Sequence, residues 1–431
     1  MRNVLIISYY FPPHNGVAGW RPYSWAQHFH KDGIYPTVIT RHWNGDENTW
    51  QDSMKENKKE VVYKKDQQAS LIFLPYTYSF LGKIIFSPLF KVPGFSKIYH
   101  LLLFLFGKIA IEVDASHSFK KFLDVYLKEH AFDFMIISSP PHNLVRLGYD
   151  IFKKFNIPYA IDFRDSWNND ELKKNYTPGI NHKIKNAITK FYMKKWLDNA
   201  SFIVTVGDSL AKRIHALTHK PVHVIMNGFE HELFDDKNKA PSSSVFTISI
   251  IGTIYPKQDL SILLKGLNRF ISVAGKEQVL LNFVGIESIE TVANMIKNSL
   301  PSESVYTSPR LPRSTAIDYT LTSHVLLYAG WKNYEGIFSG KIFDYLGAKR
   351  NILIAPGDDD VIDELLHQTN SGKTANSPDE FFNILFNWYT EWKQQGKLSY
   401  TGMEEQISMY TREKQAALFA KYINHTIDNT Y

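Results

Sequence analysis

Short continuous apolar runs alternate with amphipathic stretches along most of the chain. The first run, Val4–Ser8, is followed by a loop and by Trp20–His30, whose periodicity predicts a helix that stops at Gly33. Another apolar run, Pro36–Thr40, comes next. Such continuous runs are typical of strands that are covered on both faces of a parallel sheet. The beginning of the chain therefore predicts a βαβ unit.

The alternation continues to the end of the chain and falls into two halves. Further strands are predicted at 132–139, 157–163, 200–206, 221–226, 245–252, 279–285, near 305, at 324–330 and at 351–355. A turn at Asn227–Gly228 and a polar stretch up to Ser244 separate the halves. We therefore expect an α/β protein with two Rossmann-like domains, 1–228 and 229–409.

Two stretches of the first half do not follow this alternation. Residues 44–68 are polar and without sustained periodicity, which predicts a surface excursion. Residues 78–111 are apolar and aromatic, and lysines punctuate them at 83, 91, 97 and 108. No uncharged run here approaches the ~20 residues of a membrane-spanning helix. Two alternatives stay open for 78–111: a surface in the membrane interface, or a helical hairpin buried in the domain.

Composition narrows the class of protein. The 431 residues exceed what one core usually holds, and 44% hydrophobic with 21% charged residues is typical of a folded globular protein. The absence of cysteine excludes disulfides and thiolate metal sites. A net charge of +6, with lysines scattered among acids, argues against a dedicated nucleic-acid-binding protein. The start shows no cleavable signal peptide, so we expect a cytoplasmic protein, with the inner face of the membrane as a possible site of action.

The stretch from Tyr334 to Arg350 holds the clearest candidate chemistry of the second half. Ser339 and Gly340 mark a helix start after the strand predicted at 324–330, and Lys341 adds a charge in the first turn. Free N–H groups and the positive end of a helix dipole favour a phosphate oxygen. Asp344, one turn later, can accept hydrogen bonds from sugar hydroxyls. The alternative is an ordinary capped helix with both charges in solvent.

Polar residues also end two consecutive strands of the first half. His142 follows 132–139, and Arg164 and Asp165 follow 157–163. Because carboxyl ends of parallel strands meet at one edge, where open α/β sheets bind ligands, we expect these residues to face a ligand. A structural histidine and a surface ion pair are the alternatives. The loop around Gly16 permits close backbone approach, but its glycines lack the dinucleotide-binding spacing, so NAD is not expected.

No metal site is expected. Asp358–Asp360 follow the strand predicted at 351–355, where an aspartate is expected to cap the helix Val361–Gln368. No histidine or carboxylate cluster elsewhere has ligand-like spacing.

Four motifs, in this order, resemble the retaining enzymes of glycosyltransferase family four: Ile157–Trp167, Val224–Gly228, Ile251–Pro256 and Gly340–Leu346. The resemblance spans nearly the whole chain and implies the GT-B fold, two Rossmann-like domains that face each other across a cleft. It implies a UDP- or GDP-sugar as co-substrate in the second domain, no other cofactor, and a glycan or lipid-linked acceptor in the first. It also implies that the helix in 410–431 crosses back to the first domain.

The resemblance assigns roles to individual residues. Donor-binding residues would be Gly16, Gly252, Thr253, Glu335, Ser339, Gly340 and Asp344. Catalytic residues would be His142, Asp165, Lys257 and Lys341, and acceptor-binding residues would be Arg21, Arg164 and Trp167. Two departures stand out: Thr253 replaces a frequent arginine, and Glu335 and Asp344 are one residue further apart than the two glutamates common in the family. Lys257 and Lys341 must then provide the charge for the phosphates.

The resemblance implies sugar transfer with retention of anomeric configuration, in bacterial surface polysaccharide synthesis. Two alternatives stay open. One is a sugar-nucleotide epimerase on the same fold, and the other is a catalytically silent partner subunit.

Overall fold

The chain forms two compact units. The computed structural model describes residues 1–14, 16–45, 47, 55–57, 59–85, 87–105, 116–167, 172–174, 179–234, 241 and 243–429. Unit 1 comprises Met1–Asp170, Asn175–Met226 and Gln415–Tyr431, and unit 2 comprises Glu171–Lys174 and Asn227–Lys414. Apart from the short excursion Glu171–Lys174, the chain changes units after Met226 and after Lys414, and the predicted boundaries were 228 and 409.

Unit 1 is built on an eight-stranded sheet in the order β3-β4-β2-β1-β5-β6-β7-β8. Its strands are β1 Arg2–Ser8, β2 Ile34–Arg41, β3 Val62–Lys65, β4 Ser70–Leu74, β5 Phe134–Ser139, β6 Tyr159–Phe163, β7 Phe202–Thr205 and β8 Val222–Val224. Its first helices are α1 Trp20–His28, α2 Phe80–Ile85, α3 Phe95–Leu105, α4 His117–Tyr126, α5 Asn143–Phe155, α6 Ile180–Leu197 and α7 Asp208–His215. All neighbouring strands are parallel except β3 and β4.

Unit 2 is built on a six-stranded parallel sheet in the order β11-β10-β9-β12-β13-β14. Its strands are β9 Phe246–Ile251, β10 Val279–Val284, β11 Val305–Ser308, β12 Val325–Tyr328, β13 Asn351–Ile354 and β14 Gly372–Thr374. Its helices are α8 Ser261–Ala274, α9 Glu290–Ser299, α10 Arg313–Leu321, α11 Lys341–Ala348, α12 Val361–Thr369, α13 Pro378–Gln395 and α14 Glu404–Ser408. The strand order is the Rossmann order, and it reverses between β9 and β12, where doubly wound sheets bind ligands.

The last helix, α15 Arg412–Asp428, packs in unit 1 from Gln415 onward. Its Phe419 and Ile423 share one core layer with Val4 and Ile6 of β1. The alternate β1 residues, Leu5 and Ile7, belong to the layer on the other face, together with residues of α5. This two-sided cover explains the continuous apolar run of β1, because full burial of each such side chain contributes about 1.5–3 kcal/mol.

The described part of 44–68 lies at the surface as expected, and it also contains a strand that was not predicted. Val62–Lys65 form β3, which pairs antiparallel with β4 at the edge of the sheet, and every residue of β3 is exposed. Positions 46, 48–54 and 58 lie outside the described residues. An exposed edge strand needs no apolar alternation, and lysines on it oppose pairing with other chains.

The stretch 78–111 is not a buried hairpin in its described part. Helices α2 and α3 carry large apolar side chains in solvent, with Phe80 80%, Ile98 59% and Leu101 55% exposed. Positions 86 and 106–111 lie outside the described residues. No helix among the residues that the structure describes is both long and apolar enough to cross a membrane.

Candidate functional site

The carboxyl ends of β9 and β10 carry glycines with left-handed backbone. Gly252 has φ +90° and donates its N–H to Val284 O at 2.7 Å, and Gly285 has φ +88°. A Cβ on Gly285 would lie 3.3 Å from Gly252 Cα, closer than most side chains tolerate. The backbones of the two strand ends therefore pack directly against each other. Since neither glycine has a side chain, the main chain is accessible at the carboxyl end of β9, which borders the switch point of the sheet.

Lys341 is the first residue of α11 and reaches back to this glycine loop. Its Nζ donates to Thr253 O at 2.9 Å and lies 6.0 Å from the ring centre of Tyr328. Burial is the sole cause that lowers the pKa of Lys341 to about 8, from 10.5. No carboxylate among the described residues forms an ion pair with it. The ammonium is thus a partly desolvated cation whose counter-charge the described chain does not provide.

The helix start beside Lys341 is where the sequence predicts it. Gly340 is the N-cap of α11, and no side chain caps the first turn. One turn later, the buried Tyr345 hydroxyl accepts a hydrogen bond from the Ile251 N–H at 2.8 Å, so α11 is fixed to the last residue of β9. The first-turn amides and the Lys341 ammonium lie together at one end of α11, an arrangement that favours an anion.

Asp344 and its neighbour Arg313 form a half-buried ion pair. Arg313 Nη2 lies 2.8 Å from Asp344 Oδ1, and the two side chains are 22% and 24% exposed. Arg313 begins α10, and nothing in its spacing to Asp344 identifies it in the sequence. A carboxylate held in this way keeps its second oxygen in a defined direction, which suits a hydroxyl ligand.

The loop that contains Glu335 is held by a segment from far along the chain. Glu335 N–H donates to Leu172 O at 2.9 Å, and Lys174 N–H donates to Asn333 O at 2.9 Å. Gly336 N–H donates to Asp360 Oδ2 at 2.6 Å. The Glu335 side chain is exposed, and so is that of Lys257 in the loop after β9. Of the two lysines that were expected to provide the charge for the phosphates, Lys341 contacts Thr253, whereas Lys257 is exposed at the surface.

Asp358 caps α12, as expected for this aspartate run. Its carboxylate accepts the N–H groups of Asp360, Ile362 and Asp363 at 3.0–3.1 Å. Across the described ranges, no group of three or more histidine or acidic side chains is arranged to hold a metal ion.

Two buried arginines in unit 1 surround one buried carboxylate. Arg21 Nε lies 2.8 Å and Arg164 Nε 4.0 Å from an oxygen of Asp162, which is fully buried in β6. Arg21 also donates to Met226 O at 2.8 Å, and Arg164 donates to Ala18 O at 2.7 Å. These contacts fix the loops at the carboxyl edge of the sheet, a structural task that the sequence did not indicate for Asp162.

His142 lies at the same edge, at the start of α5. Its Nδ1 is 2.8 Å from Ser139 Oγ, and its ring stacks on Phe163 at 5.5 Å. Burial first, and then the Arg164 guanidinium, lower the pKa of His142 to about 4, against the opposing effect of a backbone hydrogen bond with Ser166. The imidazole is therefore neutral near pH 7 and acts through hydrogen bonds rather than through charge.

The remaining predicted residues of unit 1 are more accessible. Asp165 is exposed, and Trp167 packs edge-on against Phe163 at 5.6 Å. Gly16 N–H donates to His14 Nδ1 at 3.0 Å. A Cβ at Gly16 would come within 2.2 Å of the His14 ring, so a side chain there would require that ring to move.

The comparisons with known proteins find similarity in three-dimensional structure but none in sequence. No protein-family profile and no curated protein sequence matches this chain. Sucrose-phosphate synthase from Thermosynechococcus elongatus aligns over 100% of both chains with a TM-score of 0.67 and 12% identity. A UDP-forming α,α-trehalose-phosphate synthase from Burkholderia vietnamiensis aligns over 100% of both chains with a TM-score of 0.61 and 7% identity. HepE of Anabaena, in complex with UDP and glucose, aligns over 100% of this chain and 99% of its own with a TM-score of 0.54 and 11% identity.

The chain has the GT-B fold. The two parallel-sheet units expected from the alternating pattern are confirmed, and at 7–12% identity the likeness establishes architecture alone. The roles assigned to single residues stay predictions.

The GT-B architecture separates the predicted residues into two groups. In unit 2, Gly252, Thr253 and Lys341 lie together, with Asp344 one turn further along α11. In unit 1, His142, Arg164 and Asp162 form one buried cluster. Sequence reasoning missed Asp162, Gly285, Arg313, Tyr328 and Tyr345. Only Gly285 gave a signal, since a glycine directly after a predicted strand indicates a left-handed residue or close packing.

Proposed function

We propose that this protein is a retaining glycosyltransferase that moves a sugar from a nucleotide-diphosphate sugar to a glycan or lipid-linked acceptor. The proposed context is the synthesis of a bacterial surface polysaccharide. Unit 2 binds the donor in this proposal, and unit 1 binds the acceptor.

The observation that carries the proposal is the position of Lys341. A partly desolvated ammonium with no carboxylate partner among the described residues, next to a helix start that no side chain caps, is an arrangement that a diphosphate completes. It stands at the switch point of a Rossmann-ordered sheet, where such sheets bind nucleotides. Two of the solved structures of similar shape support a nucleotide-sugar donor, since HepE holds UDP and glucose and the Burkholderia enzyme is named as UDP-forming.

In the proposed reaction, the bond between the anomeric carbon and the leaving phosphate breaks as negative charge grows on the diphosphate. Lys341 and the amides at the start of α11 stabilise that charge, and Asp344 binds the ribose. Retention follows if the acceptor hydroxyl attacks from the same face while the leaving phosphate takes its proton. Neutral His142 then positions a sugar hydroxyl. A double displacement through Asp165 is the alternative, and its exposed carboxylate lacks the enclosed setting of a nucleophile.

The proposal extends to a membrane surface and a lipid-linked acceptor. Ile98, Leu101 and Leu102 occupy one face of α3 at helical spacing and are all at least half exposed. Lys91 and Lys97 of the same stretch are exposed, and the sequence has no acidic residue from 67 to 111. An exposed apolar face in a stretch whose only acidic or basic side chains besides histidine are lysines matches an anionic bilayer, where apolar burial and electrostatic attraction both contribute.

The proposal is tested by incubating the purified protein with a panel of UDP- and GDP-sugars, with and without a lipid extract as acceptor source. We expect release of UDP or GDP from one donor, and a product whose anomeric configuration, read by NMR, equals that of the donor. An epimerase would change the sugar while the nucleotide stays attached. If the protein neither turns over nor saturably binds any donor, both enzymatic functions are excluded and the catalytically silent partner subunit is the remaining hypothesis.

A further inference from the structure

A groove of about 870 Å³ lies at the edge of the unit 1 sheet where its parallel strands begin. Its floor consists of the first residues of β1, β2 and β4 together with β3, and its wall consists of the end of α4 and the loop before β5. His142 and Arg164 lie at the opposite, carboxyl edge of the same sheet, so the groove is separate from the candidate site of unit 1. Its volume is in the range of small-ligand sites, about 300–1,000 Å³.

The floor of the groove carries hydroxyl groups that the described chain leaves without a hydrogen bond. Thr37 and Ser70 are register partners on β2 and β4, and both line the groove. Thr37 is only 7% exposed, yet its hydroxyl has no hydrogen-bond partner among the described residues, and the oxygen is not fully buried. The same is true of the Ser70 hydroxyl. Because a hydroxyl both donates and accepts, this floor suits a ligand whose own groups do both.

Aromatic rings form the wall of the groove and one side of its floor. Tyr126 of α4 stacks on Phe122 at 5.1 Å and on His130 at 3.9 Å, so these three rings hold one another in place. Tyr63 of β3 also lines the groove and is 61% exposed. Burial first, and then the nearby Tyr63 phenol, raise the pKa of Tyr126, so its hydroxyl keeps its proton well above pH 7. The groove therefore offers an accessible aromatic ring and a phenolic donor.

The charges around the groove are balanced. Among the described residues that line it, Lys65 is the one cation besides His130, and Glu129 is the one acid. Both Lys65 and Glu129 are exposed. An ionic ligand gains little here, whereas a neutral ligand with an apolar face and a rim of hydroxyls finds an aromatic ring for the one and hydroxyls for the other. A sugar ring has this division.

We propose that this groove binds a neutral oligosaccharide. One sugar ring packs against Tyr63, and sugar hydroxyls exchange hydrogen bonds with Thr37, Ser70 and Tyr126. The site does not rest on the proposed transferase activity, since it lies at the other edge of the sheet. For an enzyme that acts on a glycan, such a groove holds a part of the chain away from its reacting end.

The test is a titration of the full chain, labelled with ¹³C in the tyrosine rings, with maltohexaose, laminarihexaose and mannohexaose. The Tyr63 and Tyr126 signals are assigned by their loss in Tyr63→Phe and Tyr126→Phe. We expect a saturable shift of both signals with at least one of these neutral sugars, with a Kd of about 1 mM or below. No nucleotide sugar is present, so the result is independent of the proposed transferase reaction.

Variants connect the response to the groove. Tyr63→Ala removes the accessible ring and should weaken binding, read at the Tyr126 signal, by about tenfold. Thr37→Val removes the hydroxyl while keeping the shape and should weaken binding by about fivefold. Lys65→Met should change the Kd by less than about twofold, because a neutral ligand does not need its charge. The matched control is Phe191→Ala on α6, since Phe191 is 68% exposed and does not line the groove.

The proposal is wrong if neither tyrosine signal shifts with any of the three sugars, or if Tyr63→Ala and Thr37→Val both bind like the parent. It is also wrong if decaproline, a type of ligand that aromatic grooves can bind, shifts both signals while the sugars do not. Tighter binding of the acidic hexagalacturonate than of the neutral sugars would overturn the assignment to a neutral ligand.

Discussion

The ammonium group of Lys341 is held at a backbone carbonyl in a partly dehydrated position beside the glycine loop of unit 2. Lys341→Ala removes a charge-assisted contact that strengthens as the leaving diphosphate gains charge, so kcat/KM should fall by ~10²-fold or more. Steady-state nucleotide release measures this. Lys332→Ala, at an exposed lysine in the preceding loop, is the matched control. If both variants turn over like the parent, Lys341 is only a structural residue.

The lowered pKa of Lys341 also makes donor binding depend on pH. Free Lys341 loses its proton as the pH rises through about 8, so the affinity for UDP should fall above that value. Calorimetric titration of UDP from pH 7 to 9.5 tests this, and Lys341→Arg, which stays charged, should flatten the decline.

The same pKa shift predicts a pH dependence of stability. Between about 8 and 10.5 the unfolded chain binds a proton at Lys341 that the folded chain has lost, so this residue makes the free energy of unfolding rise with pH across that window. Denaturant titrations of the parent and of Lys341→Ala should differ in this slope. Equal slopes would mean that the folded lysine titrates near its ordinary pKa.

Asp344 is the second residue on α11 with a proposed ligand. Asp344→Asn should raise the donor KM with little change in kcat, because a ribose contact exists equally in the ground and transition states. Arg313→Ala should raise the same KM, since Arg313 orients the carboxylate. Asp379→Asn breaks the exposed Arg269–Asp379 pair of unit 2 and is the control. If Asp344→Asn lowers the melting temperature but leaves the donor KM unchanged, Asp344 has only a structural role, in its ion pair with Arg313.

At the scale of elements, strands that are buried on both faces were the easiest to predict, although the apolar run of β4 was missed together with its edge partner β3. Central strands such as β1 and β9 are covered on both sides, so their sequences are continuous apolar runs and are found at once. The edge strand β3 is fully exposed, and only its pairing with β4 makes it a strand. Local sequence does not show which strand a segment will pair with, and β3 was therefore not predicted.

The apolar surface of α2 and α3 gives a prediction of its own. Replacing Leu101 and Leu102 with serine should reduce co-sedimentation with vesicles of phosphatidylcholine and phosphatidylglycerol, because these side chains provide apolar area for the bilayer. Val125→Ser is the control, since Val125 is 62% exposed on α4.

Salt should weaken this binding for the parent, as expected when lysines contribute. Parent protein that stays in the supernatant with these vesicles at low salt would contradict the proposed surface.

At the scale of the whole molecule, the expected chemistry needs no metal ion. In the proposed reaction, Lys341 and the amides of α11 provide the positive charge that a divalent cation provides at many diphosphates. The carboxylate of Asp358 already accepts N–H groups of α12. We therefore expect nucleotide release to continue in excess EDTA. Activity that disappears with EDTA and returns with Mg²⁺ or Mn²⁺ would show that a cation bridges the diphosphate.

Fold class and the order of most elements follow from the sequence because both halves repeat one pattern of buried strands and helices, interrupted only between β2 and β5. The candidate site follows only in outline. Residues such as Lys341 were found because a strand, a loop and a helix start are local features. Arg313 and Asp162 were not, since their roles arise from packing between elements that lie far apart in the chain.

The course of α15 has a consequence for how the protein is made. Phe419 and Ile423 complete a core layer whose other members, such as Val4 and Trp25, are synthesised first. On the ribosome, the early residues of unit 1 therefore keep an open apolar face until α15 has emerged. The intervening 227–414 can meanwhile collapse around its own sheet. The unit that begins the chain is thus the last to finish folding, and its unfinished core is where chaperones would be expected to bind.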